Sequence, residues 1–494
     1  MGLKYELVNE QHHSKNKNTN RYVIGCAIFA SLNSALLGYD GGVMSGAILF
    51  IQKDLKITEV QVEVFVSCLS IVSLVGCLGG GHTADAIGRK WTMGLSCIVF
   101  QLGVVLMAIA PSFKVLLAGR ILAGIGVGFG GVIALIYIAE ISPAASRGTL
   151  TSIPEILVNF GILLGYVSNY AFSGLPVHIG WRVMLVVGVL PSVFVAFALF
   201  VLPESPRWLV MMNRTKEAQS VLLKITEDET EVEARLSEIE EAAKIQNQEK
   251  GVWQELISPS PVVRRMLISG IGIQCFQQIT GIDAIVYYSP TIFMDAGLKS
   301  EKTILAATIA VGFAKTSFIL VAIFLIDRVG RKPLLYVSTM GMTACLFGLG
   351  MTLTFLKHGS GQNQIAITLA ILAVCGNVAF FSVGIGPICW VVTSEIFPLR
   401  LRAQASALGA MGNRVCSGIV SMSFLSASRF ISVAGIFLMF SAISAFSVAF
   451  VYRFVPETKE KTLEEIKLLF EPGEDWNKGG EVELEDAKHL VQNQ

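Results

Sequence analysis

Apolar residues run along this chain in long blocks, and the polar residues collect at the ends of those blocks. The stretches from Tyr22 to Val43 and from Leu185 to Leu202 are long enough for a helix to cross a hydrocarbon core, which takes about 20 residues. About twelve such blocks can be counted, each reading as one membrane-spanning helix. A different pattern appears between Thr215 and Lys250. There TEVEARLSEIEEAAKIQ places apolar residues three and four apart among charges, which predicts short amphipathic helices joining two groups of spans. The tail segment KTLEEIKLLFEPGEDW predicts one more.

Composition agrees. Of 494 residues, 53% are hydrophobic and 15% charged, against the roughly 25% charged residues of a soluble chain. The chain reads as an all-α polytopic membrane protein. A formal net charge of +1 excludes an ordinary nucleic-acid binder, which would be strongly basic. The nine cysteines fall inside predicted spans and the six histidines are scattered, so neither a disulfide framework nor a metal site is expected. The first 21 residues are polar and carry no signal-peptide core, so the first span is expected to direct insertion.

Basic residues set the expected orientation. Arg89 with Lys90, Arg147, Arg328 with Arg331 and Lys332, and Arg400 with Arg402 lie in alternate short loops. The positive-inside tendency then places these loops, the central segment and both termini in the cytosol. Three of the landmarks recur in order half a chain apart. DAIGRK (85–90) returns as DRVGRK (327–332), EISPAASR (140–147) as EIFPLRLR (395–402), and PESPR (203–207) as PETKE (456–460). The expected organisation is a tail (1–21), a six-helix half (22–202), a helical linker (203–265), a second six-helix half (266–453) and a tail (454–494). Asp85, Arg89, Glu140 and Arg147, with Asp327, Arg331, Glu395 and Arg402, are candidates for a cytosolic gate of ion pairs that form on closing and part on opening.

A charge at mid-bilayer costs about 2.5–3.5 kcal/mol on insertion scales, so each one needs a partner or a task. Asp40 in the first span and Arg120 in the fourth both fall about 8 Å below the outer surface at 1.5 Å per residue, which makes them candidate partners. An aspartate whose charge depends on a neighbouring arginine, and which loses that neighbour when the protein moves, is suited to carrying a proton. Glu155 lies in the fifth span with Asn159 one turn on. The seventh carries QCFQQITGIDAIVYYSP, in which Gln277, Thr280, Asp283 and Tyr287 share one face while Gln278 points away. A helix break at Gly281 would let both glutamines line one cavity. Amides, a carboxylate and a phenol are chemistry for a neutral ligand with many hydroxyls. Trp390 in GIGPICW and Asn413 in MGNRV are further candidates. Lys315, also within a span, is expected to snorkel.

GYD, the GRK loops, PESPRWL, QQITGIDAIVYYSP, GPICWVVTSEIFP and PETK together resemble the sugar porter family of the major facilitator superfamily, over essentially all of 21–465. PEILVNFGILLGYVSNY and GNRVCSG are similar to the plant polyol and monosaccharide transporters, which are proton symporters. The resemblance implies twelve helices in two halves, sugar contacts at Gln277, Gln278, Tyr287, Trp390 and Asn413, and proton coupling by Asp40 with Arg120. Asp283 and Glu155 stand where most hexose carriers have asparagine and glutamine, which adds acceptors suited to an open-chain polyol. The sequence departs from the family pattern at Leu37, where phenylalanine is common, and in DAIGRK, which lacks a basic residue after its aspartate. Ser382 replaces a glutamate of facilitative carriers. The expected function is proton-coupled symport of polyols and monosaccharides by alternating access, with no enzymatic activity and no cofactor beyond the proton. An uncoupled hexose facilitator and a non-transporting sugar sensor are the alternatives. A monomer in the plasma membrane is expected, with the vacuolar membrane as the second location.

Overall fold

Nothing between Arg21 and Leu55 stops a helix, and the chain forms one of 35 residues there, α1. It runs well past Val43 because AILFIQKDL continues with residues a helix tolerates, so Asp40 stands far inside it. The computed structural model of the protein describes residues 21–143, 147–225, 229–246, 252–358, 364–459, 466 and 468–470. The tail helix expected from KTLEEIKLLFEPGEDW falls mostly outside them.

The elements that follow are helices. They are α2 (Glu59–Ile87), α3 (Arg89–Ala108), α4 (Phe113–Ile141) and α5 (Arg147–Phe172), then a sixth span in two pieces, α6 (Val177–Val187) and α7 (Val189–Val201). The linker forms α8 (Pro206–Met211), α9 (Thr215–Ile225), α10 (Glu229–Gln246) and α11 (Val252–Ile257). The seventh span is again two pieces, α12 (Pro261–Ile279) and α13 (Ile282–Asp295), followed by α14 (Glu301–Val329) and α15 (Arg331–His358). A divided tenth span, α16 (Gln364–Val383) and α17 (Ile385–Ile396), precedes α18 (Leu399–Ile431) and α19 (Val433–Phe454). Ten of these stretches are long and apolar enough to cross a membrane. The remaining two of the twelve crossings are α12–α13, which is broken, and α18, which carries Arg400, Arg402, Arg414 and Arg429.

Two compact units divide the chain. The first comprises the described residues of Met1–Asp40, Val72–Gly161 and Leu185–Glu249. In it α3 and α4 touch along small residues, and a Cβ on Gly103 or Gly119 would lie 2.7 Å from the other's carbonyl oxygen. The linker helices α8, α9 and α10 are docked onto this unit. Trp208, Leu209, Leu222, Ile225 and Val232 join a core with Val23, Cys26, Tyr137 and Ile141 from α1 and α4. Polar contacts fix the docking: Trp208 Nε1 donates to the Asp85 carbonyl at 3.0 Å, and Tyr137 O–H donates to that of Pro203 at 2.9 Å.

The second unit comprises the described residues of Gly41–Ile71, Ile162–Met184 and Lys250–Gln494. It gathers the ends of α1, α2 and α5 farthest from the GRK strings, the start of α6, and α11 to α19. Lys53 pairs with Glu301, Arg429 donates to Glu59 at 2.6 Å, and the hydroxyls of Ser70 and Ser417 lie 3.0 Å apart. One contact repairs a defect. Pro290 has no N–H, so the carbonyl four residues back, that of Val286, loses its helical donor, and the backbone bends at Tyr288. Tyr166 O–H from α5 donates to that carbonyl at 2.9 Å. Replacing Tyr166 by Phe keeps the ring and removes the repair. Thermal unfolding of the detergent-solubilised chain is expected to show a loss of about 1–3 kcal/mol, the cost of an unsatisfied buried carbonyl.

Candidate functional site

Two polar sites lie within the helices. In the first unit, Arg120 Nη1 of α4 donates to both carboxylate oxygens of Asp40 at 2.7 Å. The side chains are 0% and 2% exposed, so water does not screen this pair. Removing either partner would leave a bare charge in an apolar interior, a loss of about 3–5 kcal/mol for a buried pair. The same unit holds Glu155 just after Pro154 in α5, where Asn159 Nδ2 donates to its carbonyl at 2.7 Å and to its carboxylate at 3.3 Å.

The second site grows from the break at Gly281. That residue adopts φ +88°, a left-handed conformation suited to glycine, and a Cβ there would lie 2.5 Å from the ring of Phe440. α12 stops at Ile279, and Thr280 O–H donates to the Gln277 carbonyl in its last turn at 3.1 Å. Gln277 then reaches α17, donating to the Gly386 carbonyl at 2.7 Å, while Gln278 Nε2 donates to Asn413 Oδ1 of α18 at 3.2 Å. Asn413 Nδ2 donates to Gln277 Oε1 and, at 3.1 Å, to Gln274 Oε1. Both glutamines therefore meet one asparagine from within the unbroken α12, so the break at Gly281 is not what brings them to it. Gln278 Oε1 is buried and has no partner among the described residues.

Beyond the break, the Asp283 carboxylate accepts from Ser417 O–H, one turn after Asn413 on α18. Tyr287 is 8% exposed, its hydroxyl 3.9 Å from where a Cβ on Gly41 would stand. Trp390 follows Gly386 by one turn on α17 and is 36% exposed. Sequence reading missed Gln274 and Ser417. Each is one helical turn from a residue it named, and that spacing is the signal that points to them. Lys315 does not snorkel. It is 9% exposed, with Nζ 5.7 Å above the ring of Phe381, a cation–π contact made inside the helices.

The repeated charged strings build two matching nests. In the first unit, Arg89 grips Glu140 through Nε at 3.0 Å and Nη2 at 3.1 Å, and Asp85 stands 3.1 Å away. Glu204 of PESPR accepts the backbone N–H groups of Arg89 at 2.9 Å and Lys90 at 3.1 Å, capping the start of α3. In the second unit, Arg331 Nη2 donates to Glu395 at 2.9 Å. Glu457 of PETKE accepts the N–H groups of Arg331 at 3.0 Å and Lys332 at 2.9 Å. Ser205 O–H bonds Glu140 and Thr458 O–H bonds Glu395, so the correspondence extends to the hydroxyls. Burial pushes the Glu204 carboxyl up from its ordinary range, against the pull of its N–H donors and Arg89. Arg402 donates to the Phe397 carbonyl at 3.3 Å. The side chains of Arg147 and Asp327 lie outside the described residues.

The chain belongs to the family described as sugar (and other) transporter, which it matches over residues 26–470. It is a membrane transporter of the major facilitator superfamily and not an enzyme, and it falls with the plant polyol transporters. It is 65% identical to probable polyol transporter 4 of Arabidopsis thaliana, over 97% of this chain and 91% of that one. Polyol transporter 5 of the same plant is 48% identical, over 92% and 88%. Among solved structures, the proton:xylose symporter XylE bound to 6-bromo-6-deoxy-D-glucose aligns with a TM-score of 0.77 and 27% identity, over 92% of this chain and all of that one. XylE is from E. coli.

The matched caps carry an expectation. Glu204→Ala and Glu457→Ala each strand two backbone N–H groups at a helix start, at a cost of about 1–2 kcal/mol. Because they lie in different units, the double variant should lose the sum of the two, read from melting in detergent.

Proposed function

We propose that the protein is a proton symporter of polyols, accepting monosaccharides as well, that works by alternating access between the six-helix halves 22–202 and 266–453. The observation that carries this reading is the Asp40–Arg120 pair, a carboxylate and a guanidinium wholly withdrawn from water. A carboxylate that keeps its cation stays charged, and one parted from it inside hydrocarbon takes up a proton. α1 joins this pair to the second unit, because the residue after Asp40 is Gly41, against which Tyr287 stands. Movement of α1 thus bears on both groups.

The substrate site is assigned to Gln277, Gln278, Asn413, Tyr287 and Trp390, with Gln274 holding Asn413 in place. The unpaired Gln278 Oε1 supplies an acceptor for a ligand hydroxyl. Asp283 and Glu155 add carboxylate acceptors, which suit the flexible row of hydroxyls in a sugar alcohol. Asp85, Arg89, Glu140 and Arg147, with Asp327, Arg331, Glu395 and Arg402, form the cytosolic gate. The intact nests at Arg89 and Arg331 give each side of it a rigid footing. The chain acts as a monomer in the plasma membrane with both termini in the cytosol, and it needs no cofactor. The names of its relatives, plant polyol transporters, support the substrate class.

Oocytes expressing the chain should carry inward current when a polyol and outside acid are present together. Asp40→Asn should abolish that current. Tracer uptake that persists without current would make the protein a facilitator, and binding without uptake would make it a sensor. Asn413→Ala should raise the polyol KM about tenfold with a smaller change in maximal rate, as expected for a lost hydrogen-bond anchor. Asp283→Asn should shift preference from polyols towards ring sugars, measured as the ratio of kcat/KM for sorbitol and xylose.

A further inference from the structure

Glu63 is a carboxylate inside α2 that neither the proton pair nor the substrate site uses. Its side chain is 2% exposed, and no ion pair with it is found among the described residues. Its partner lies in α18: the backbone N–H of Ser426 donates to Glu63 Oε1 at 2.6 Å, and the Ser426 hydroxyl donates to Oε2. A backbone N–H inside a helix ordinarily serves the carbonyl four residues back, so this donation to a carboxylate is unusual. A second unusual contact lies one turn deeper, where Tyr288 O–H of α13 donates to the Ser421 carbonyl of α18 at 2.9 Å. One turn towards the helix ends, Arg429 donates to Glu59 at 2.6 Å. On the deeper side, the Ser70 and Ser417 hydroxyls meet at 3.0 Å, and Ser417 reaches Asp283.

We propose that Glu63 is a positioning residue of the transport cycle, a clamp that holds α2 against α18 and closes the passage above Asp283. α2 and α18 belong to different halves of the sequence, so a path to the substrate residues from that end requires them to part. Parting strands a carboxylate that accepts from both the backbone and the side chain of one serine. Charge-assisted bonds of this kind are about twice as strong as neutral ones. The clamp is therefore stronger than the Ser70–Ser417 contact beneath it, and it sets how often the passage opens.

The proposal rests on the alternating-access reading, and the test reads opening without relying on transport. Ser70 is 3% exposed and lies two turns below Glu63 on α2, so a cysteine there is reached only when α2 and α18 separate. The purified full-length Ser70→Cys chain is treated with a hydrophilic methanethiosulfonate, and labelled peptides are quantified by mass spectrometry. Adding Glu63→Ala should raise the labelling rate at position 70 about tenfold, the effect of losing a hydrogen bond to a charge. Glu63→Gln and Ser426→Ala, each of which keeps one acceptor or donor, should give smaller increases. Cys97, 1% exposed in the first unit, should stay unlabelled throughout. An unchanged rate at position 70 in Glu63→Ala overturns the clamp. Equal gains at Cys97 do the same, since they mean general loosening. If Glu63→Ala is not recovered as a monodisperse protein, unchanged labelling in Glu63→Gln and Ser426→Ala decides against it. Wild type that moves no polyol would sink the transport reading and leave the labelling comparison standing.

Discussion

Hydrocarbon offers no hydrogen bonds, so every backbone N–H and C=O in a membrane helix must find its partner within the protein. The structure is organised around the places where an unbroken helix would not serve. At Gly281 the seventh span stops and restarts, and Thr280 satisfies the last turn. At Pro290 the missing N–H is answered from α5 by Tyr166. At Gly384 the tenth span divides, and the N–H of Ile385 donates to Ser338 Oγ at 3.0 Å. The repairs at Pro290 and Gly384 are long-range contacts, so those two breaks tie distant helices together. Of the residues proposed to hold substrate, Gln277 and Gln278 lie at the first of these breaks, where α12 ends.

The same rule governs the charges. Asp40 and Arg120 survive in an apolar interior because each supplies the other's counter-charge, and neither is stable there alone. Lys315 lies beside a phenylalanine face. A transporter needs groups whose partners change during its cycle, and hydrocarbon makes such changes expensive enough to be coupled to one another.

Much of this was legible in the sequence because burial makes polar residues conspicuous. A lone aspartate and a lone arginine at matching depth imply a pair, and a glycine inside the most polar span marks a break. The repeat of DAIGRK and PESPR as DRVGRK and PETKE showed that two related halves exist. It did not show that the glutamate of one motif caps the helix started by the other, since capping depends on contacts between segments far apart in the chain. Glu63 was likewise silent: a glutamate near the start of a span reads as an interfacial residue until Ser426 is seen beside it. The length of α1 was underestimated because apolar patterning marks where a membrane core ends, and a helix that stays buried against protein need not end there.

The two glutamate caps also bear on how the protein is made. Glu204 follows the sixth span and Glu457 the twelfth, whereas the helix starts they complete were synthesised more than a hundred residues earlier. Chains emerge from the ribosome N-terminus first and fold in that order. The N–H groups of Arg89 and Lys90 therefore wait at the membrane surface until a whole bundle of six helices has been inserted. Each nest closes only when its bundle is complete. The motif that looks like punctuation between halves is thus the closing stitch of each, and a chain truncated just before it leaves the preceding helices inserted but unfastened.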